Sequence, residues 1–219
     1  MQRKRVGIFV YEDVEVLDFC GPFEVFSVTR LNEQRRRDEP SPFLPLLIAE
    51  SSSPVTATGG MQVLPHHSMP DCPPLDIVVV PGGWGFRHHM KNDTLHQWLR
   101  ARAAVAETVT AVCTGSLLLS SAGLLNGLQA TTHWRFLDTM RDSFPEISVK
   151  YDKHFVQDGR VFTSAGISAG IDMSLKVVEQ YFGEAIARAT ARHMEYPYPD
   201  TDSRRMQLEG NHVLATNDA

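Results

Sequence analysis

The sequence predicts an α/β fold: a mostly parallel sheet sandwiched by helices. Two observations carry the prediction. Short apolar runs recur at residues 6–10, 43–49, 76–81 and 108–112, continuous rather than alternating, as strands buried on both faces are. Two of these runs end directly in a turn with glycine, DIVVVP in Gly82-Gly83 and ETVTAV in Cys113-Thr114-Gly115, and helical spacing resumes beyond. Strands alternating with helices in this way build parallel sheets whose ligands bind at the strands' carboxyl ends.

Taken in order, the first strand spans 6–10. A helix follows with Pro22 at its first position and Phe23, Phe26 and Leu31 at roughly helical spacing, which leaves Asp18 in the loop after the strand. In residues 32–41, Arg35, Arg36 and Arg37 are flanked by Glu33, Asp38 and Glu39, so the segment reads as a solvated loop. Strands at 43–49 and 61–64 surround a Ser/Pro/Gly-rich turn. The strand at 76–81 is followed by a helix at 93–106, capped by Asn92 or Asp93, then by the strand at 108–112 and a helix at 116–125. The Asp158-Gly159 pair marks a hairpin turn, and helices at 169–181 and 184–195 complete the predicted domain, residues 1–196. Residues 197–219, with Pro197, Pro199 and no periodicity, read as an extended or disordered polar tail.

Composition narrows the function. In 219 residues, 21 Lys and Arg face 26 Asp and Glu, so the net charge of −5 lacks the basic footprint of a nucleic-acid binder. Three cysteines, Cys20, Cys72 and Cys113, are too few for a disulfide framework and point to a reducing compartment. No export signal is evident, and the cytoplasm is the expected location. The stretch between Glu107 and Arg135 carries no Asp, Glu, Lys or Arg, but its many Ser, Thr and Gly residues fit a buried strand, turn and helix better than a membrane span.

The chemistry centres on Cys113. A side chain at a strand-to-helix turn is presented at the carboxyl end of the sheet, where helix N–H groups stabilise a thiolate. Gly115 lets that turn tighten. The backbone N–H groups of Gly82, Gly83 and Thr114 are the expected oxyanion donors. Asp18 is placed to bond the thiol or move a proton. An inert buried cysteine and a loop carboxylate are the bland alternatives. The adjacent pairs His66-His67 and His88-His89 lack metal-ligand spacing, and no metal or organic cofactor is expected.

The blocks AVCTGSLLLSSAGLLNG (111–127), ATTHW (130–134) and GISAGID (166–172), with Pro81-Gly82-Gly83 and Leu17-Asp18…Gly21-Pro22, resemble the ThiJ/PfpI superfamily, and most of all its isonitrile hydratase branch. The resemblance covers residues 5 to 195. It implies a class I glutamine amidotransferase-like (flavodoxin-like) sandwich, usually a homodimer, acting on a small molecule. It also implies roles: Cys113 as nucleophile, Asp18 as its acid, Thr114 as the threonine after the cysteine, Gly83 and Thr114 as oxyanion donors, and His133 near the site. Protease-like members carry a histidine where this chain has Thr114, which disfavours peptidase chemistry. Trp84 departs from the small residue expected after the glycine pair, and Cys20 stands where many relatives have a small residue. Two other readings follow: a ligand- or redox-sensing domain like the amidase-like half of AraC-type regulators, and a glyoxalase or deglycase. Residues 197–219 are too few for helix-turn-helix units, and a glutamate usually replaces Asp18 in the dicarbonyl enzymes.

Overall fold

A computed structural model describes residues 2–205. In chain order its strands are β1 (Lys4–Phe9), β2 (Phe43–Ala49), β3 (Val55–Thr56), β4 (Gln62–Val63), β5 (His67–Ser68), β6 (Ile77–Val80), β7 (Thr108–Val112), β8 (Gln129–Ala130), β9 (Ser148–Val149), β10 (Phe155–Asp158) and β11 (Val161–Ser164). The helices are α1 (Val16–Val28), α2 (Phe86–His89), α3 (Asp93–Val105), α4 (Gly115–Ser121), α5 (Leu137–Ser143), α6 (Ala169–Phe182) and α7 (Glu184–His193).

Seven strands form the central sheet in the order β10-β11-β7-β6-β1-β2-β5. Every pairing is parallel except that of β10 with β11, which turns at Gly159, φ 58°. β6 and β7 are buried along their whole length, as their uninterrupted Val/Ile/Thr/Ala sequences require. Helices α1, α6 and α7 pack together in one group, and α4 packs with α2 and α3 in another. From β1 the chain steps to β2 on one side and returns through β6 on the other. The crevice at this reversal opens at the carboxyl ends of β1, β6 and β7.

Several expectations shift. The first helix starts at Val16, so Pro22 lies inside it and Asp18 occupies its first turn rather than a loop. An interior proline removes one backbone hydrogen bond, which is why sequence logic places it at a helix start. Here the entry is fixed earlier, because Val14 bridges to Gly83 and the Glu15 N–H donates to the Gly82 carbonyl at 2.9 Å. The strand expected at 61–64 shrinks to β4, paired with β3 outside the main sheet. Met61 and Leu64, 48% and 68% exposed, never join the core that their apolarity suggested. The helix expected at 116–125 ends at Ser121, close to Gly123 with φ 74°. Periodicity gave no sign of the short helices α2 and α5.

Residues 197–205 form no helix or strand beyond an isolated bridge between Lys153 and Ser203, and they are tied to the body. The His154 N–H donates to the Asp202 carbonyl at 2.6 Å, the Arg204 N–H to the Asp152 carbonyl at 2.7 Å, and Arg205 reaches Asp172 at 2.9 Å. Residues 206–219, the rest of the expected tail, lie outside the described residues. Among the described residues no helix is long and apolar enough to cross a membrane, and the charge-free stretch before Arg135 contains β7, α4 and β8.

Candidate active site

Cys113 stands between the end of β7 and the start of α4 with φ 56°, a left-handed conformation that non-glycine residues rarely adopt. Its backbone is held on both sides. The N–H donates to the Ser164 and Ala165 carbonyls, each at 3.2 Å, while the Ser116 and Thr132 hydroxyls both donate to its carbonyl at 2.9 Å. Gly115 is obligatory, since a β-carbon there would collide with the Val80 carbonyl. Ile167, which lines the same site, has φ 57°. Strain thus gathers around the thiol.

Behind the sulfur lies Asp18, fully buried. Its Oδ2 accepts the Gly82 N–H at 2.9 Å, whereas Oδ1 is buried without a hydrogen-bond partner, and the carboxyl interacts with the Cys113 thiol. Burial pushes the Asp18 carboxyl from the usual carboxylate range up to about 8, with Glu15 adding repulsion and the Gly82 N–H opposing. Burial and the Asp18 charge likewise push the Cys113 thiol well above its ordinary range. The N–H groups of Thr114 and Ile167 act in the other direction, favouring the thiolate. Tyr11, buried beside the pair, donates to the Pro81 carbonyl at 3.0 Å.

The glycine turn departs from its expected role. Gly82 and Gly83 do face Asp18 and Thr114, but their N–H groups are engaged: Gly82 with Asp18, and Gly83 with the Thr114 hydroxyl at 3.1 Å. The turn accordingly braces the Asp18 and Thr114 side chains. The backbone donors beside the sulfur are those of Thr114, as expected, and Ile167, which the sequence reading missed because a β-branched residue gives no hint of positive φ. Gly82 itself must lack a side chain, since a β-carbon would lie 2.6 Å from both the N and Oγ1 of Thr114.

Above the thiol opens a cavity of about 220 Å³, lined by Cys113, Thr114, Gly83, Trp84 and His133 among the expected residues. Asp18 and Gly82 are not in its wall; they support it from behind. Glu15, Phe86, Trp134, Arg135, Phe136 and Ile167 complete the lining, none of them singled out beforehand. Trp134 belongs to the quoted ATTHW block and Ile167 to GISAGID, the two signals that pointed there. Trp84 is 56% exposed at the mouth, with the Arg87 guanidinium over its ring at 4.6 Å. His133 is neutral: burial lowers its imidazole to about 4, helped by Arg135 and Arg204, and its Nδ1 accepts the Arg135 N–H at 3.3 Å. Cys20 sits half-buried on α1 and is unpaired, as are Cys72 and Cys113. Among the described residues no group of His, Cys, Asp and Glu could hold a metal ion.

The chain is 36% identical over 200 residues to an isonitrile hydratase of Pseudomonas putida, covering 91% of this chain and 82% of that one. It is 31% identical over 163 residues to the HTH-type transcriptional regulator GbdR of Pseudomonas aeruginosa, but spans only 44% of that regulator's length. A ThiJ/PfpI family protein of Pseudomonas syringae superposes with a TM-score of 0.78 at 29% identity, covering 92% of this chain and 79% of that one. Drosophila melanogaster DJ-1beta shares the fold, with a TM-score of 0.73 at 20% identity over 90% of this chain and all of the other. The DJ-1/PfpI family model matches residues 4–180, and this chain belongs to that family.

Proposed function

We propose that this protein is a cysteine-dependent hydratase that converts a small isonitrile, R–N≡C, into the N-substituted formamide. The carrying observation is a carboxyl group, Asp18, buried against the Cys113 thiol and holding its proton up to a pH of about 8. Addition to an isonitrile needs this combination, because the terminal carbon accepts a nucleophile only as it receives a proton.

Burial holds both groups protonated at rest; loss of one proton from the pair gives the reactive form, in which Asp18 keeps the remaining proton and Cys113 is the thiolate, favoured by the Thr114 and Ile167 N–H groups. Asp18 delivers its proton to the terminal carbon as sulfur bonds to the same atom, giving the thioimidate Cys–S–CH=N–R and an Asp18 carboxylate. Water then adds to that carbon, and one of its protons passes through Asp18 to the nitrogen. The C–S bond breaks as C=O forms, the hydroxyl proton returns to the Asp18–Cys113 pair, and R–NH–CHO leaves. One water is consumed and no cofactor is required. Thr114 fixes the Gly83 turn, while Trp84 and His133 shape the wall around R.

The similarity to GbdR supports a second reading, a non-catalytic ligand or redox sensor. Formamide formation from a small alkyl isonitrile by the native protein and by Cys113→Ser separates the two. Turnover lost in the variant establishes the enzyme and its nucleophile together; no product from the native protein overturns the hydratase. The family resemblance and the exposed Leu17 and Ile167, 37% and 40%, support a homodimer, to be tested by sedimentation.

A further inference from the structure

The cavity over Cys113 holds a charge feature that the hydration chemistry leaves unused. Its wall is largely aromatic, built from Trp84, Phe86, Trp134 and Phe136, yet Arg135 also lines it. The Arg135 guanidinium lies 4.9 Å from the centre of the Trp134 ring. A second guanidinium, that of Arg87, stands over Trp84 at 4.6 Å, Phe86 at 5.0 Å and Phe136 at 5.6 Å. Neither makes an ion pair or a side-chain hydrogen bond among the described residues. Many arginines elsewhere are satisfied, Arg36 by Glu33, Arg141 by Asp138 and Asp142, Arg188 by Glu184 and Asp200, Arg205 by Asp172, and Arg160 by two backbone carbonyls. Arg102, over the Trp98 ring at 5.9 Å, also has its Nε unpartnered, so what sets Arg135 and Arg87 apart is that the rings they rest on line the cavity over Cys113.

A guanidinium resting on an aromatic face keeps its N–H groups available to a partner in its own plane, and a carboxylate matches that geometry with two parallel hydrogen bonds. The remaining charge in the wall is Glu15, whose backbone bonds the Gly82 turn and whose charge acts on Asp18, so it belongs to the reactive end. An anionic group is therefore repelled from the thiol end and attracted towards the arginines. His133 is neutral and adds nothing to this balance.

We propose that Arg135 and Arg87 form a carboxylate-recognition site, so that the substrate is a short isonitrile bearing a carboxylate at the end remote from the reacting carbon. The proposal rests on the hydratase reading for the identity of the reacting group, but the anion site is testable without it. Cys113 is alkylated with iodoacetate and, separately, with iodoacetamide; in each the S–C bond forms, iodide leaves and the thiol proton goes to solvent. The rates are read from the mass of the Cys113 peptide, and their ratio is divided by that for N-acetylcysteine. One favourable charge contact is worth about a fivefold preference, so the native protein should exceed the free thiol by roughly that factor at low salt and lose most of it in 0.5 M NaCl. Arg135→Gln with Arg87→Gln should return the ratio to that of the free thiol, while Arg135→Lys should retain part of it. A native ratio at or below that of the free thiol, or one unchanged in the double variant, overturns the site. In parallel, formamide production is compared between 3-isocyanopropanoate and its methyl ester. Preference for the acid supports the proposal and preference for the ester overturns it. No product from either, with the alkylation preference intact, overturns the hydratase reading and leaves the anion site standing.

Discussion

Two aspartates in this protein are equally buried, and each sits in the first turn of a helix, Asp18 in α1 and Asp172 in α6. Their surroundings differ. Asp172 has His154 Nε2 at 2.7 Å from one oxygen and Arg205 Nη2 at 2.9 Å from the other. Asp18 has no cation; it has the Gly82 and Ile167 N–H groups and a thiol. Burial without a neighbouring cation pushes a carboxyl towards its protonated form, which is the situation of Asp18. Asp172 therefore ties the 197–205 segment to α6, and Asp18 is left as a protonated acid aimed at a nucleophile.

The largest expected effect comes from breaking the Asp18 side of this contrast. Asp18→Asn keeps an acceptor for the Gly82 N–H but removes the transferable proton. Formamide formation should fall by about a thousandfold or more, the range for losing a positioned general acid together with its influence on the nucleophile, with the fold intact by circular dichroism. Asp172→Asn tests the other side. It leaves Arg205 facing a neutral amide, and urea denaturation should show a loss of about 1 kcal/mol, because the Arg205 side chain is 46% exposed and its pairing with Asp172 is screened by solvent. Turnover per folded molecule should change far less than in Asp18→Asn. An equal loss of activity in both variants would erase the distinction.

A pH titration of stability sharpens the comparison. The Asp18 carboxyl is near 3.8 when unfolded and about 8 when folded, so between those values the native state holds a proton that the unfolded state has released. Its contribution to stability is complete below pH 4 and is lost as pH rises through 8. The slope between the two values is roughly 1.4 kcal/mol per pH unit. The stability of Asp18→Asn relative to the native protein should therefore rise by about 2 kcal/mol from pH 6 to pH 8. A relative stability that stays constant across that range would show that Asp18 is ionised in the folded protein.

Much of this was legible in the sequence, for identifiable reasons. Buried parallel strands are written as unbroken apolar runs, so β6 and β7 and the turns after them could be read directly, and Cys113 with them. The position of Asp18 relative to α1 could not, because Pro22 imitates a helix start and the true entry is set by Val14 and Glu15 pairing with Gly82 and Gly83, about 70 residues away. The aromatic wall was equally hidden. Trp84 and Phe86 meet Trp134 and Phe136 only through tertiary packing, and no local period brings them together. The donor at Ile167 depends on a backbone conformation that its residue type disfavours.

The smallest effect is expected at Thr114, where the comparison reaches the atoms that hold the site in place. Its hydroxyl accepts the Gly83 N–H at 3.1 Å, so it braces one glycine of the turn while Asp18 braces the other. Thr114→Val leaves the half-buried Gly83 N–H without its acceptor at a cost of about 1 kcal/mol, and Thr114→Ser restores it. If the hydroxyl acts only by holding the turn, Thr114→Ser should match the native protein in both stability and kcat/KM. Thr114→Val should then lose stability and, with its turn loosened, roughly tenfold in kcat/KM. If instead the Gly83 N–H must be released to stabilise developing charge, Thr114→Val frees it in advance and kcat should hold or rise as stability falls. The opposite signs on kcat decide whether the glycine turn is a brace or a donor, and the 3.1 Å bond favours the brace.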